Sequence, residues 1–372
     1  MFINSSRLLL AALSALCLFL VQGLNSRSAQ AQPSGAMGDN FIYLVESGDT
    51  LSELSELYTT RSASWRELQG LNQIPNELDL PIAKALSIPF NMIPVVAAEA
   101  SISHSKGEVW VNNSAAQREQ RLQAGDVIRT GNNGFITLLL EDQSTISLPN
   151  NSQLYIKQLN TFERARLIDA ILELQQGSVE SRVAPDNTGV GRFEINTPVS
   201  VTGVRGTNLR VHTTEQMART ELITGKAHLN TSTQTNYQNL LQAQGANIHA
   251  DGSYAIWPLL PAPALTEPVR GKQGWQTTIT PVEGATHYVV QIALAADGTA
   301  LVRSDEVPAE ELTVPLQPSG AGQHYAFIRA VDERGLMGID AALSFPGQGV
   351  LISSDGAPIL SSDGQAVLLT DY

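Results

Sequence analysis

Cysteine is nearly missing from this chain: Cys17 is the single one among 372 residues. A lone thiol forms no internal disulfide, so no covalent framework supports the fold. Positive charge is scarce as well, with 23 Lys and Arg against 36 Asp and Glu, a formal net charge of −13. Such a chain is not held to nucleic acid by counterion release, nor to anionic lipid by a basic patch. The six histidines, at 104, 212, 228, 249, 287 and 324, are never spaced as zinc ligands are. No phosphate loop and no nucleophile elbow is found, and no cofactor is implied. Long apolar runs are limited to Leu8 to Val21, which is short for a bilayer span and is broken by Ser14.

That apolar run follows Arg7 and leads to Ala29-Gln30-Ala31, a small-x-small cleavage pattern. Residues 1–31 therefore read as an export signal cut before Gln32, leaving no membrane span. Leu16 and Leu18 bracket Cys17, whereas a lipidated cysteine follows a small residue, so a lipid anchor is not expected. The exported chain would then carry no thiol, which excludes a cysteine nucleophile. With 42% hydrophobic and 16% charged residues it is ordinary globular material, long enough for two or three domains.

Residues 40–90 are the most informative. Phe41, Tyr43 and Val45 alternate as a strand does, and Gly48-Asp49 supplies a turn. Thr50 with Glu53 forms a capping box ahead of Leu51, Leu54 and Tyr58 on one helical face. Ser64 and Glu67 repeat the box before Trp65, Leu68 and Asn72, and Pro75 stops that helix. Leu86 and Ile88 then alternate up to Pro89. The order strand, helix, helix, strand, with these residues, resembles the LysM family of peptidoglycan- and chitin-binding modules. Its usual Gly-Gln pair before the last strand is here Ala83-Lys84. The resemblance implies a shallow groove for N-acetylglucosamine units, with Gly48, Asp49, Thr50 and Leu51 as one wall and Ile74, Pro75, Asn76 and Leu78 as the other. Thr50 and Asn72 read equally well as caps and turn formers.

Residues 91–105 read as a linker. From 106 to 252 short alternating apolar runs, such as Phe135 to Leu140 and Leu222 to Leu229, are separated by Gly, Asn, Asp and Pro turns. Only Phe162 to Leu174 reads as partly helical. The motifs Leu122-x-x-Gly125-Asp126, Leu174-x-x-Gly177-Ser178-Val179 and the run Phe193 to Val211 resemble the FecR domain, named for a ferric-citrate regulator. That resemblance implies an elongated all-β roll or coil and a place in envelope signalling. FecR regulators usually have a membrane helix that passes a signal to a cytoplasmic sigma factor, with the FecR domain outside. The apolar segment at the start of this sequence departs from that plan, so an interaction or spacer domain is the first expectation and a regulatory sensor the alternative. Arg205, between glycines, reads as a structural residue.

The stretch 253–265, with Pro258, Pro261 and Pro263, reads as a stiff linker. Beyond it Tyr288, Val290 and Ile292, then Tyr325, Phe327 and Val331, alternate over residues 266–346. With Asp332 to Leu336 they resemble a fibronectin type III-like sandwich, whose core would hold Trp275, Tyr288 and Tyr325. The tail, 347–372, carries Ser353-Ser354-Asp355-Gly356 and again Ser361-Ser362-Asp363-Gly364. Asp-Gly favours tight turns, and too few oxygen ligands are fixed there for calcium.

The expected fold is mainly β and multidomain: a βααβ module, an elongated all-β domain and a β-sandwich. Two local motifs imitate catalytic ones. Glu46 at a strand end lacks the enclosed partner that a general acid needs, and Ser103-x-x-Lys106 lacks its companion motifs. The expected function is an exported, non-enzymatic envelope protein of a Gram-negative-type cell. Its partners would be N-acetylglucosamine-containing glycan and, through the FecR-like part, an envelope protein. A cell-wall enzyme with an unrecognised site is the remaining alternative.

Overall fold

The computed structural model describes residues 35–37, 39–78, 80–165, 167–183, 190–231, 238–271 and 274–347, and single positions or short stretches between 351 and 367. The export segment, and most of both Ser-Ser-Asp-Gly turns, lie outside the described residues.

The N-terminal unit grows from its alternation. Strand Asn40–Leu44 pairs antiparallel with Ala85–Pro89, Tyr43 opposite Leu86, so Phe41, Tyr43, Leu86 and Ile88 share one face. Helix Leu51–Tyr58 lays Leu51, Leu54 and Tyr58 on that face, and helix Trp65–Leu71 adds Leu68. The Tyr58 ring lies 5.2 Å from Phe41 and 5.5 Å from Tyr43, the tilted contact that aromatic quadrupoles favour. An additional strand, Gly35–Met37, pairs with Asn40–Leu44. The second capping box is not made, because a 3-10 turn over Ser62–Ser64 leads into the helix and Ser64 has no side-chain cap bond.

This unit is not a separate bead. Phe90 stacks on Phe162 at 4.4 Å and 20°, and Ala165 and Leu167 join the same apolar cluster. The expected linker 91–105 is instead sheet: Val95–Ala97 pairs with Asn160 to Phe162, and Ala100–Lys106 pairs with Phe135–Leu140. Ile102 alternates with buried Ala100, which is enough to place a strand without any turn signal between.

A 16-stranded sheet forms the middle of the molecule. The stretch read as partly helical, 162–174, is half of a long hairpin, Gln153–Phe162 against Leu167–Arg182. Ile168, Ala170, Leu172 and Leu174 alternate as well as they would on a helix face. The ladder decides, since flanking strands satisfy both edges of Leu167–Arg182, including a parallel pairing with Val190–Asn196. The inner face carries Leu154, Leu172, Val179, Ile195, Leu209, Val211 and Leu222. Tyr254–Pro258 continues this sheet against Gln244–His249, so the first part of the expected proline linker is a strand that ends at its first proline.

The C-terminal unit is two sheets. One holds Val269–Gly271, Gly274–Thr278 and Thr313–Leu316, the other Leu301–Pro308, Ala285–Ala293, Gln323–Asp332 and Ala341–Pro346. Tyr288, Val290, Ile328 and Phe345 fill the space between, and Trp275 packs against them half-buried. Tyr325 lies elsewhere, at a small cluster of Phe135, Ala293, Leu301 and Phe327 that joins this unit to the large sheet. In the tail, Leu351, Ile359 and Val367 link cyclically through their backbones: Ile359 N donates to Leu351 O, Val367 N to Ile359 O and Leu351 N to Val367 O.

Candidate functional sites

At the N-terminal unit the two expected walls meet through one backbone bond, Leu51 N to Glu77 O at 3.3 Å. Gly48 turns the chain at φ +98°. Asp49 is spent locally: its Oδ2 accepts from Tyr43 Oη at 2.9 Å and from Glu46 N at 2.7 Å. Burial, then Asp49, push the Tyr43 phenol up. Thr50 Oγ1 accepts from Glu53 N and donates to the Glu53 carboxylate, so it caps the helix. Leu51 and Ile74 are interior. Asn76 Oδ1 accepts from Leu78 N, an Asx turn. Of the eight residues, Gly48, Pro75, Asn76 and Leu78 face outward, Leu78 with 74% of its surface exposed. Ile82, exposed at 68%, lies further along the same connection and was not expected, because no periodicity marks a single apolar loop residue. Ala83 carries the next turn at φ +62°.

Asn72 is the staple of this unit. Its Nδ2 donates to Leu68 O and to Ser87 O, both at 2.9 Å, and its Oδ1 accepts from Ser87 N at 2.7 Å. One amide thus ends a helix and fixes the last strand.

Ser103 is the extra residue of a bulge in strand Ala100–Lys106, between Ile102 opposite Leu138 and His104 opposite Thr137, and its hydroxyl donates to Thr137 O at 3.1 Å.

A second constellation was not legible beforehand. On the outer face of the large sheet, three neighbouring strands place Glu180 opposite Arg210 and Arg210 opposite Glu221. Onto this row the C-terminal unit sets Arg329 and Gln291 from adjoining strands and the loop 332–340. Arg329 donates to Glu180 at 3.0 Å and to Gln291 Oε1, and pairs with Asp340 at 3.2 Å. Arg210 donates to Gly338 O at 2.9 Å and to Asp340 Oδ2. Gln291 Nε2 donates to Glu180 Oε1 at 3.0 Å. Both arginines are buried, and such charges persist only when matched. Burial raises Glu180, but Arg329 and Arg210 prevail and hold it down at about 2.

Glu221 behaves in the opposite way. It has no exposed surface, its Oε1 accepts from Met337 N at 3.4 Å, and its Oε2 has no hydrogen-bond partner among the described residues. Burial outweighs the nearby arginines and pushes it up to about 7. Gly335, at φ +77°, is required twice: a Cβ there would fall 1.8 Å from Arg219 Nη1. A further seam binds the units where His104 Nε2 meets Leu301 O at 2.8 Å and Thr137 Oγ1 donates to Thr299 O. Beside the joint lies a cleft of about 970 Å³, floored by the large sheet and walled by the C-terminal unit.

Residues 126–228, which include Glu180, Arg210 and Glu221, match the family model of the FecR protein. They form a FecR domain. The match covers the heart of the large sheet and stops short of the strands at either end. No curated protein matches the sequence. Among solved structures, a putative anti-sigma factor from Parabacteroides distasonis ATCC 8503 aligns at 15% identity and TM-score 0.29, over 36% of this chain and 59% of that one. A β-1,2-glucanase from Parabacteroides distasonis aligns at 11% identity and TM-score 0.18, over 68% of this chain and 37% of that one. Likeness of this order carries no argument about fold or activity. The FecR domain favours an envelope signalling role, which moves the weight from the spacer expectation toward the regulatory alternative. Among the described residues no helix is long and apolar enough to cross a membrane.

Proposed function

We propose that the chain is an exported, non-enzymatic part of an envelope signalling device, whose FecR domain makes the protein contacts that carry the signal. The observation behind this is the FecR match over residues 126–228. The joint fits the role: the FecR sheet meets its neighbour unit through a buried ionic cluster with only a small apolar one beside it, and polar interfaces of that kind permit relative movement of the parts. Deleting the gene in the native host should shift transcription of a discrete gene set, with recovery on supplying the full chain. An unaltered transcript profile refutes the signalling role.

A second reading concerns the N-terminal unit, which we assign to N-acetylglucosamine-containing glycan such as peptidoglycan. Its support is the pair of loops joined at Leu51 and Glu77, with Leu78 and Ile82 both exposed along the second of them. Acetamido groups offer both a hydrogen-bonding edge for loop backbone and a methyl for such side chains. In co-sedimentation of the exported chain with purified peptidoglycan, Leu78→Ser should lower the retained fraction while leaving the melting temperature in place. No retention of the unaltered chain, or equal retention of the variant, ends this reading. Purified peptidoglycan incubated with the chain should keep its mass, since catalysis is not part of the proposal.

A further inference from the structure

The cleft beside the joint has a floor and a wall of distinct chemistry. Across the FecR sheet the next row outward from Glu180, Arg210 and Glu221 is Ser178, His212 and Arg219, in register. The opposite wall is built from the paired strands Ala285–Ala293 and Leu301–Pro308, which bring His287, Gln291 and Glu306 to the opening. No Phe, Tyr or Trp lines the space among the described residues, so it offers no stacking platform for a sugar ring or a base.

Its cations are not alike. Arg210 is matched by Asp340 and Glu180. Arg219 gives one N–H to Gly335 O at 3.1 Å and, among the described residues, pairs with no carboxylate. Its nearest acidic neighbour along the strand, Glu221, is fully buried and its Oε1 accepts from Met337 N rather than from Arg219. Burial, then the Arg219 charge, lowers His212 to about 4, and its Nδ1 is held by Ser178 Oγ at 2.7 Å. An unmatched guanidinium fork calls for a planar anion. Glu180, Glu215, Asp305 and Glu306 also line the cleft, Glu180 matched by Arg210 and Arg329 and Asp305 by Arg303, and together they oppose a polyanion, which leaves a single carboxylate. Beside it Ser178 and Gln176 offer a hydroxyl and a carboxamide that both donate and accept, as a chain of amides requires.

We propose that this cleft binds the free carboxyl end of a peptide, with the carboxylate on Arg219 and the preceding amides on the carboxamide and hydroxyl side chains around it. This lies outside the glycan and signalling readings and stands or falls separately from them.

The test uses the full chain and two synthetic peptides, acetyl-Ala-Gln-Ala-Ala ending either in a free carboxylate or in an amide. Binding is followed by NMR of histidine-labelled protein, the His212 signals being assigned by their loss in His212→Gln. The carboxylate peptide should shift those signals and bind about tenfold or more tightly than the amide, the size expected of one charge-assisted hydrogen-bonded pair. Arg219→Gln should abolish the difference. Equal affinity of acid and amide for the unaltered protein, absence of any His212 shift, or equally tight binding of glucuronate, a sugar monoanion, each overturns the proposal without reliance on how the variant folds.

Discussion

Glu221 makes the union of the FecR domain with the C-terminal unit depend on pH, and the sign follows from where its proton sits. In the unfolded chain it titrates at its ordinary value of 4.5, and in the folded chain at about 7. The folded state therefore retains a proton that the unfolded state releases between those values. For a carboxyl raised in this way the favourable contribution is complete below about pH 4.5 and declines as pH rises through 7. A displacement of roughly 2.5 pH units at 1.36 kcal/mol each gives about 3.4 kcal/mol as an upper bound, reduced by relaxation around a coupled cluster. Glu221→Gln keeps the shape and the acceptor for Met337 N while deleting the titration. Other groups move in the same window, His212 among them: its lowered value adds stability as pH rises, so the unaltered protein alone is not diagnostic. The informative quantity is the difference between the two proteins in urea unfolding, measured from pH 5 to pH 8 by circular dichroism. The Gln variant should gain on the native chain by about 2–3 kcal/mol across that range, most of it between pH 5 and 7. Parallel stability curves refute the reasoning, and place Glu221 in contact with water or with a matched cation.

Three more outcomes can be checked by the same unfolding measurements. Arg329→Met strips the partner from Glu180 and Asp340 and should cost about 3–5 kcal/mol, with part of the loss recovered when Glu180→Gln is added. Asn72→Ala removes the staple between helix Trp65–Leu71 and strand Ala85–Pro89, leaves Ser87 N and O unpaired in a half-buried place, and should cost about 1–3 kcal/mol. Ala83→Gly relieves a left-handed alanine but loosens the unfolded chain, so it should be neutral to stabilising by up to about 1 kcal/mol; a loss larger than that contradicts the turn.

The parts of the fold that could be read from sequence are those where local periodicity and punctuation agree. Leu51, Leu54 and Tyr58 announce a helix face, Phe41, Tyr43 and Val45 a strand, and each lies where its spacing predicts. Residues 162–174 misled because Ile168, Ala170, Leu172 and Leu174 alternate within a run rich in good helix formers, and strand pairing from both sides settled the matter. Residues 91–105 and 254–258 read as connections because their strands are short and weakly patterned, Val95–Ala97 and Tyr254–Pro258 lying at sheet edges and Ala100–Lys106 between two partners. The joint was not readable at all. Glu180, Arg210 and Glu221 stand at alternating positions that ordinarily face water, and nothing in the chain near them announces that Arg329, over a hundred residues on, closes over them. Of the residues expected to face a glycan, Leu51 and Ile74 are instead interior.

Strand Leu167–Arg182 begins in the cluster shared with Phe90 and Phe162 and reaches the ionic row at Glu180. At about 3.3 Å per residue it spans some 40 Å, with an extra residue at Gln175 and Gly177 at φ +79° just before the ionic row. The N-terminal unit and the charged seam thus lie mechanically in series along one strand, with that bulge as the compliant link between them.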